Sequence, residues 1–459
     1  MERRREMENN VAPAEKQQGQ LQRKLGFWAL VFFGIIMMAP TSSLVYYPIT
    51  QMWSNGYSYI GYAIATGVIC LTVLSYQIML KDHPVAGSAY AYTSKAINGT
   101  IGFLVGWVLL MDYGLLPIFT IKIVAIYFEV LINVPVWVMI VAITVIVTIC
   151  CCLDVKLSVT IEIVLGIYLI FLVLFVDFDS LYETITSGQA VFRPDCVYDP
   201  EQINMSGVFS AASLGILCLV GFDGITTLSE ESKIPPQKMQ YTLMVAVLIQ
   251  GVLLVSANFF MASAMDWTTI PEEFYETAYY YMLTQWINEH FAFILVMLEN
   301  IFTPALAIAA FTASSRILFS MGRNNIISKK FFGHLSPKTN VPVYSILFIG
   351  VVSIILGLAL DWMFMSEVVS FGACTGFLFV NISVIALFWI KRKDHSHPFR
   401  HLIIPGIAAL IILYIMINLG KVCLIAGGAW TLVGIIYTVV RYKTSDEFKR
   451  NIQKAEMDL

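Results

Sequence analysis

The stretch Gly215-Ile216-Leu217-Cys218-Leu219-Val220-Gly221-Phe222-Asp223-Gly224 decides the fold. It lies inside an apolar run, about residues 207–229, and crossing the hydrocarbon core of a bilayer takes about 20 helical residues. An acid in such a run costs at least about 2.5–3.5 kcal/mol on the insertion scale. Two glycines flank that acid and an aromatic. Backbone released from helical pairing is tolerated at this depth only where protein or a water-filled cavity supplies partners. The run therefore reads as a membrane helix that breaks halfway.

A second run breaks in the same way. Gly34-Ile35-Ile36-Met37-Met38-Ala39-Pro40-Thr41-Ser42-Ser43 places a proline mid-span, followed by small hydroxyl residues. Proline lacks the backbone donor and clashes with the preceding turn. Working outward from these two stretches, twelve apolar runs are long enough to span, at about 27–49, 57–79, 101–128, 135–153, 157–177, 207–229, 239–263, 290–320, 341–361, 365–390, 402–420 and 422–440. The breaks fall in spans 1 and 6, the first members of two five-helix units. Matched breaks in two halves are the best sequence pointer to a transporter binding site, where unwound carbonyls and half-helix ends face a ligand.

Composition agrees. The 459 residues are 58% hydrophobic and 13% charged, with net charge −3, against roughly 45–50% and 25% in soluble domains. A soluble enzyme, a disulfide scaffold, a disordered chain and a nucleic-acid binder are excluded. The first run is too long for a signal peptide, lacks a small-residue cleavage site and precedes eleven more. The fold class is an all-α polytopic membrane protein of 12 transmembrane helices. Residues 1–25 form an N-terminal tail, 26–440 the transporter domain (first repeat about 27–177, second about 207–390, two further helices about 402–440), and 441–459 a C-terminal tail. Of the 28 Lys and Arg, 25 fall on the side that holds both termini. By the positive-inside rule both termini are cytoplasmic, in a multi-pass protein of the plasma membrane.

The long loops on the other side, about 178–206 and 264–289, are acidic, and the second carries Asp266, Glu272, Glu273, Glu276 and Glu289 without Lys or Arg. Such a loop concentrates cations, or is simply solvated. Asn204-Met205-Ser206 is a glycosylation sequon. Seven of the eight cysteines lie in or beside apolar runs; Cys150-Cys151-Cys152 has the wrong spacing for tetrahedral zinc, and His395, His397 and His401 share one basic loop. No metal or other cofactor is expected.

The intramembrane charges are the candidates for chemistry. Asp223 attracts a substrate ammonium or relays a proton; its alternative is to cap the amides of the broken helix. Asp112 lies mid-way along span 3, beside Tyr113; its alternative is a hydrogen bond to a neighbouring helix. Glu299 of span 8 holds substrate charge or a proton, or forms a structural ion pair with Lys122 of span 3 at a similar depth. Phe222 and Tyr113 offer ring faces to an ammonium, with Trp107, Tyr46 and Tyr47 as weaker candidates. Thr41, Ser42, Ser43, Gly221, Phe222, Asp223, Gly224 and Tyr113 make up the expected substrate site.

Three segments carry a resemblance to a known family. Pro84-Val85-Ala86-Gly87-Ser88-Ala89-Tyr90-Ala91-Tyr92 with Gly102-Phe103 and Gly106-Trp107, then Gly221-Phe222-Asp223-Gly224-Ile225-Thr226-Thr227-Leu228-Ser229-Glu230-Glu231, and Ser315-Arg316 with Met321-Gly322-Arg323-Asn324 resemble the signatures of the amino acid–polyamine–organocation permeases over about residues 25–440. Asp112-Tyr113, Pro117 and the Thr-Thr-Leu-Ser-Glu-Glu string are most similar to those of bacterial putrescine importers. The resemblance implies an inverted five-plus-five repeat with two extra helices and import of a small amine by alternating access. The proton would be the coupling ion. The stretch Leu44-Val45-Tyr46-Tyr47 departs from the importers' pattern in carrying no acid, which leaves a monoamine or an amino acid open as substrate. Other readings are an exchanger of the same superfamily, a nutrient receptor that binds without flux, a channel, and an intramembrane enzyme. The last lacks any G-x-S-x-G, H-E-x-x-H or P-loop lysine motif.

Overall fold

A computed structural model of the chain describes residues 26–82, 88–153, 159–188, 199–227, 232–323, 327–336, 339, 341–444 and 449. The segments 83–87 and 228–231, parts of two of the signatures above, lie outside the described residues, as do Asn324, Cys196, Arg193 and most of both tails.

The architecture is helical throughout the membrane region. Span 1 is two helices, Phe27–Met37 and Ser42–Ser54, bent by 44° at the break. Spans 2 to 5 are Ser58–Asp82, Gly99–Ile132, Val136–Cys152 and Val159–Thr186. Span 6 is Met205–Leu217, an irregular stretch, then the single turn Gly224–Thr227. Span 7 is Pro236–Ala264, and span 8 joins Glu289–Phe302 to Pro304–Arg323. Spans 9 and 10 are Val343–Ala359 and Trp362–Val384, the latter continuing as π turns to Lys391. Spans 11 and 12 are Phe399–Ile417 and Lys421–Thr444. Among the described residues eight helices pass a length and hydropathy test alone and the bent pair makes a ninth, while Val136–Cys152, Met205–Leu217 and Val343–Ala359 are shorter but apolar. Together they fill the twelve positions read from the sequence.

The packing obeys an exchange of halves. Span 2 packs on 7, 3 on 8 and 4 on 9, each partner the other's counterpart. Span 1 packs on 5 as 6 does on 10, span 1 on 7 as 6 on 2, and span 3 on 9 as 8 on 4. An inverted repeat requires this pattern of pairs. With no hydrophobic drive between helices in lipid, close approach and buried polar contacts hold the pairs. Ser58 donates to Asn258 across spans 2 and 7 at 3.1 Å. Asn381 of span 10 accepts from Ser75 at 2.7 Å and donates to Thr72 at 3.0 Å, both on span 2. Asn204 accepts from the Gly207 N–H at 3.3 Å and donates to the Trp53 carbonyl at 3.0 Å, so the sequon asparagine is the cap that ties span 6 to the end of span 1.

The loop expected between spans 7 and 8 contains an additional helix, Ala278–Trp286. Its inner face, Ala278, Tyr279, Met282 and Leu283, is buried. Flanking acids hide that face from a hydropathy scan.

Candidate functional site

The site is built where the two breaks meet. In span 1, Ala39 takes φ +48°, and the chain turns on Ala39 N–H to Ile36 O (3.0 Å) and Ser42 N–H to Ala39 O (2.9 Å) before the helix resumes. In span 6, Gly221 takes φ +108°. A Cβ there would lie 2.8 Å from the Met37 carbonyl oxygen, so the breaks touch backbone to backbone and only glycine fits. Gly34 instead lies against the side chain of Ile225.

The four-residue core of span 6 divides its side chains. Phe222 is fully buried in an aromatic cluster, with ring centroids 5.5 Å from Tyr76 and 5.3 Å from Phe377. Asp223 turns the other way and is half-buried. Its Oδ2 accepts from the Tyr113 hydroxyl at 3.3 Å, and its carboxylate also takes the Gly224 N–H. The carboxylate thus caps the broken helix and stays half-buried. Asp112, one residue before Tyr113, faces span 10, where a Cβ on Gly372 would sit 2.9 Å from the Asp112 nitrogen. Asp112 is buried, and its Oδ1 has no hydrogen-bond partner among the described residues.

Thr41 and Ser43 are buried at the span 1 break. The Ser43 hydroxyl has no partner among the described residues, while Ser42 lies beside the Cys218 thiol of the span 6 break. Glu299, 5% exposed, accepts from the Tyr279 hydroxyl of the loop helix and stands within hydrogen-bonding reach of Thr41. The alternative pairing of Glu299 with Lys122 is not formed. Lys122 donates to the Leu360 carbonyl instead, near Asp361 and Glu276. The long side chain reaches toward the aqueous side, where Leu360 ends the span 9 helix and its carbonyl carries the negative end of the dipole.

Three weaker candidates make contacts within the helix bundle. Trp107 stacks on Trp430 at 4.9 Å and the two indoles exchange hydrogen bonds to each other's carbonyls (3.1 and 3.0 Å), fixing span 3 to span 12. Tyr46 stacks on Trp362 at 5.8 Å and on Phe119 at 6.2 Å. Tyr47 donates to Met265 O at 3.5 Å. Groups of three or more His, Cys, Asp or Glu arranged to hold a metal are absent among the described residues.

Two residues escaped sequence reasoning. Pro117 has no N–H for the Tyr113 carbonyl four residues back, and the Ser314 hydroxyl of span 8 supplies the missing donor. The proline was the available signal. Gln250 of span 7 is fully buried and donates from Nε2 to Met38 O (3.3 Å), Ala39 O (3.4 Å) and Cys218 O (3.4 Å), reaching both breaks. A polar amide inside an apolar run was its only mark.

The amino acid permease family profile matches residues 25–442. The low-affinity putrescine importer PlaP of Escherichia coli is 29% identical over 440 residues, covering 94% of this chain and 96% of the importer. The branched-chain amino acid permease BcaP of Bacillus subtilis is 22% identical, covering 91% of this chain and 92% of the permease. Among solved structures, the Eremococcus coleocola manganese transporter superposes with TM-score 0.54 at 12% identity, covering 96% of this chain and 100% of that one, a likeness of fold.

Proposed function

From the premise that the chain belongs to the amino acid permease family, we propose that it is a secondary transporter that imports a small amine, putrescine-like in preference, coupled to protons and working by alternating access. Its relatives carry putrescine and branched-chain amino acids by name, and the chain is a multi-pass membrane transporter rather than an enzyme. The single observation that carries the amine reading is Asp223, a half-buried carboxylate at the span 6 break held by Tyr113 at 3.3 Å. A carboxylate in a low-dielectric recess favours an incoming ammonium. Asp112 lies within electrostatic reach of it, so a proton or a cationic substrate is the charge that balances the pair. The bias of Lys and Arg to the terminal side supports cytoplasmic termini in the plasma membrane.

The test is uptake of labelled putrescine into proteoliposomes under an inward proton gradient, with a competing panel of monoamines and amino acids. Asp223→Asn is expected to lower kcat/KM by at least about tenfold, about 1.4 kcal/mol. Uptake indifferent to both the gradient and this substitution would overturn proton coupling and the role of Asp223. The uncharged, buried stretch Leu44–Tyr47 favours a second reading, an amino acid permease or exchanger. Competition by neutral amino acids stronger than by diamines would select it.

A further inference from the structure

Spans 1, 2, 6 and 7 pack on one another as a group, span 7 lying against both span 1 and span 2 and span 6 against both span 1 and span 2. The breaks lie inside this group. Each interrupted helix leaves carbonyls that no helical N–H reaches, and in a membrane such groups need a donor from elsewhere. Met38 O and Cys218 O, together with Ala39 O, which also accepts the Ser42 N–H, converge on one nitrogen, the Nε2 of Gln250, at 3.3 Å for Met38, 3.4 Å for Ala39 and 3.4 Å for Cys218. We propose that Gln250 is the positioning residue of the transport site: its amide ties the two breaks into one unit and so fixes the spacing of the side chains around them that meet the substrate.

The chemistry of the side chain suits this role. A primary amide carries two N–H donors, so three acceptors share them. The distances are long for N–H···O bonds, whose mode is about 2.9–3.0 Å, so each bond is individually soft and the set tolerates small movements of either break. Three convergent carbonyls would otherwise recruit a cation. Here an uncharged donor occupies the point where they meet. Next to Gln250, Gly251 packs so close to Thr66 of span 2 that a Cβ there would clash with its side chain. The amide oxygen, Oε1, has no hydrogen-bond partner among the described residues, so the donors alone account for the placement of the group.

The proposal deepens the transporter reading and rests on it for the word substrate; the tie between the breaks is tested separately. Cys218 is buried at the tie and its own carbonyl is one of the three acceptors. In the full chain with the other seven cysteines replaced, reconstituted in liposomes, the rate at which Cys218 reacts with a small hydrophilic maleimide reads the breaks directly. Gln250→Met keeps the reach and removes the donors. It is expected to speed labelling by about fivefold to thirtyfold, the factor for losing one or two hydrogen bonds. It is expected to raise KM for putrescine by a similar factor with kcat within about threefold. Gln250→Asn, which keeps the amide on a shorter arm, is expected to fall between the two and serves if the Met variant does not fold. Labelling of a folded Gln250 variant at the parent's rate overturns the tie, whatever the protein carries. Accelerated labelling with KM unchanged overturns the positioning of substrate. A parent that takes up no amine or amino acid defeats the transporter reading alone, and labelling still decides the tie.

Discussion

The two breaks are counterparts in the inverted repeat, and each meets one acid, but from opposite sides. In span 6 the acid belongs to the break itself, and Asp223 is held by a hydroxyl of span 3, Tyr113. In span 1 the break offers the hydroxyl, Thr41, and the acid comes from span 8, Glu299. Spans 3 and 8 are themselves counterparts, so the pseudo-symmetry keeps the contact and exchanges the roles. Exposure separates the two. Asp223 is half-buried, whereas Glu299 is 5% exposed and sealed by Tyr279 of the loop helix. One acid keeps partial access to solvent, which the proposed substrate role requires, and the other holds a loop down on the break of span 1.

The backbone of the breaks gives the largest expected difference. Gly221 combines φ +108° with a contact in which a Cβ would lie 2.8 Å from Met37 O. Ala39, at φ +48°, already carries a Cβ in the left-handed region. Gly221→Ala adds backbone strain and a clash together and is expected to cost about 2–4 kcal/mol, enough to lose folded protein or uptake. Ala39→Gly relieves the left-handed strain and adds chain entropy, opposite effects that leave stability within about 1 kcal/mol. Thermal unfolding of the purified variants, followed by size-exclusion profiles, checks both. Equal losses at the two positions would mean that neither break is set by its left-handed residue.

The sealed acid comes next. Tyr279→Phe leaves Glu299 buried and short of its hydroxyl donor, a loss of about 1–3 kcal/mol in stability. Glu299→Gln keeps an acceptor oxygen for Tyr279 and is expected to lose less. Uptake by Glu299→Gln should stay well above that of Asp223→Asn. If the two acid-to-amide changes abolish uptake alike, the contrast between open and sealed acids fails. Tyr113→Phe, which removes one hydrogen bond from Asp223, is smaller again: about fivefold in KM, matching about 1 kcal/mol, measured by uptake at varied substrate concentration.

Much of this was legible in the residues. Length and hydropathy place the twelve spans, because lipid imposes its own period and leaves little to tertiary chance. Pro40 and the Gly221–Gly224 stretch mark the breaks, because proline and glycine act on the backbone locally. What stayed hidden depends on which way a side chain turns. Phe222 and Asp223 are adjacent, yet one enters an aromatic cluster and the other faces Tyr113, a division set by the left-handed turn at Gly221. Lys122 and Glu299 have similar depth but lie on different faces, so depth alone suggested a pair that does not form. Gln250 and Ser314 act on carbonyls, and a carbonyl left unpaired by a break leaves no trace in the sequence of the helix that answers it.

The smallest effect tests where Lys122 points. Glu276, in the turn Glu272–Thr277 outside the spans, is half-buried. Burial pushes its carboxyl upward, and Asp361 and Glu129 add to this, against the Trp362 hydrogen bond and the Lys122 ammonium, which pull it down. A carboxyl raised in the folded state holds its proton to higher pH than in the unfolded chain. The folded protein then binds more protons over that window, so stability falls as pH rises through it. Glu276→Gln removes the cost of the buried charge, which partial exposure to solvent already screens. The variant is expected to melt roughly 1 °C above the parent at pH 8 and to lose that advantage by pH 5. Lys122→Met takes away the nearby ammonium and pushes the Glu276 carboxyl further up, so the same Glu276→Gln comparison made in that background should show a larger difference at pH 8. Were Lys122 paired with Glu299 instead, its removal would leave the pH 8 difference unchanged and would destabilise the span 1 break through an unbalanced Glu299.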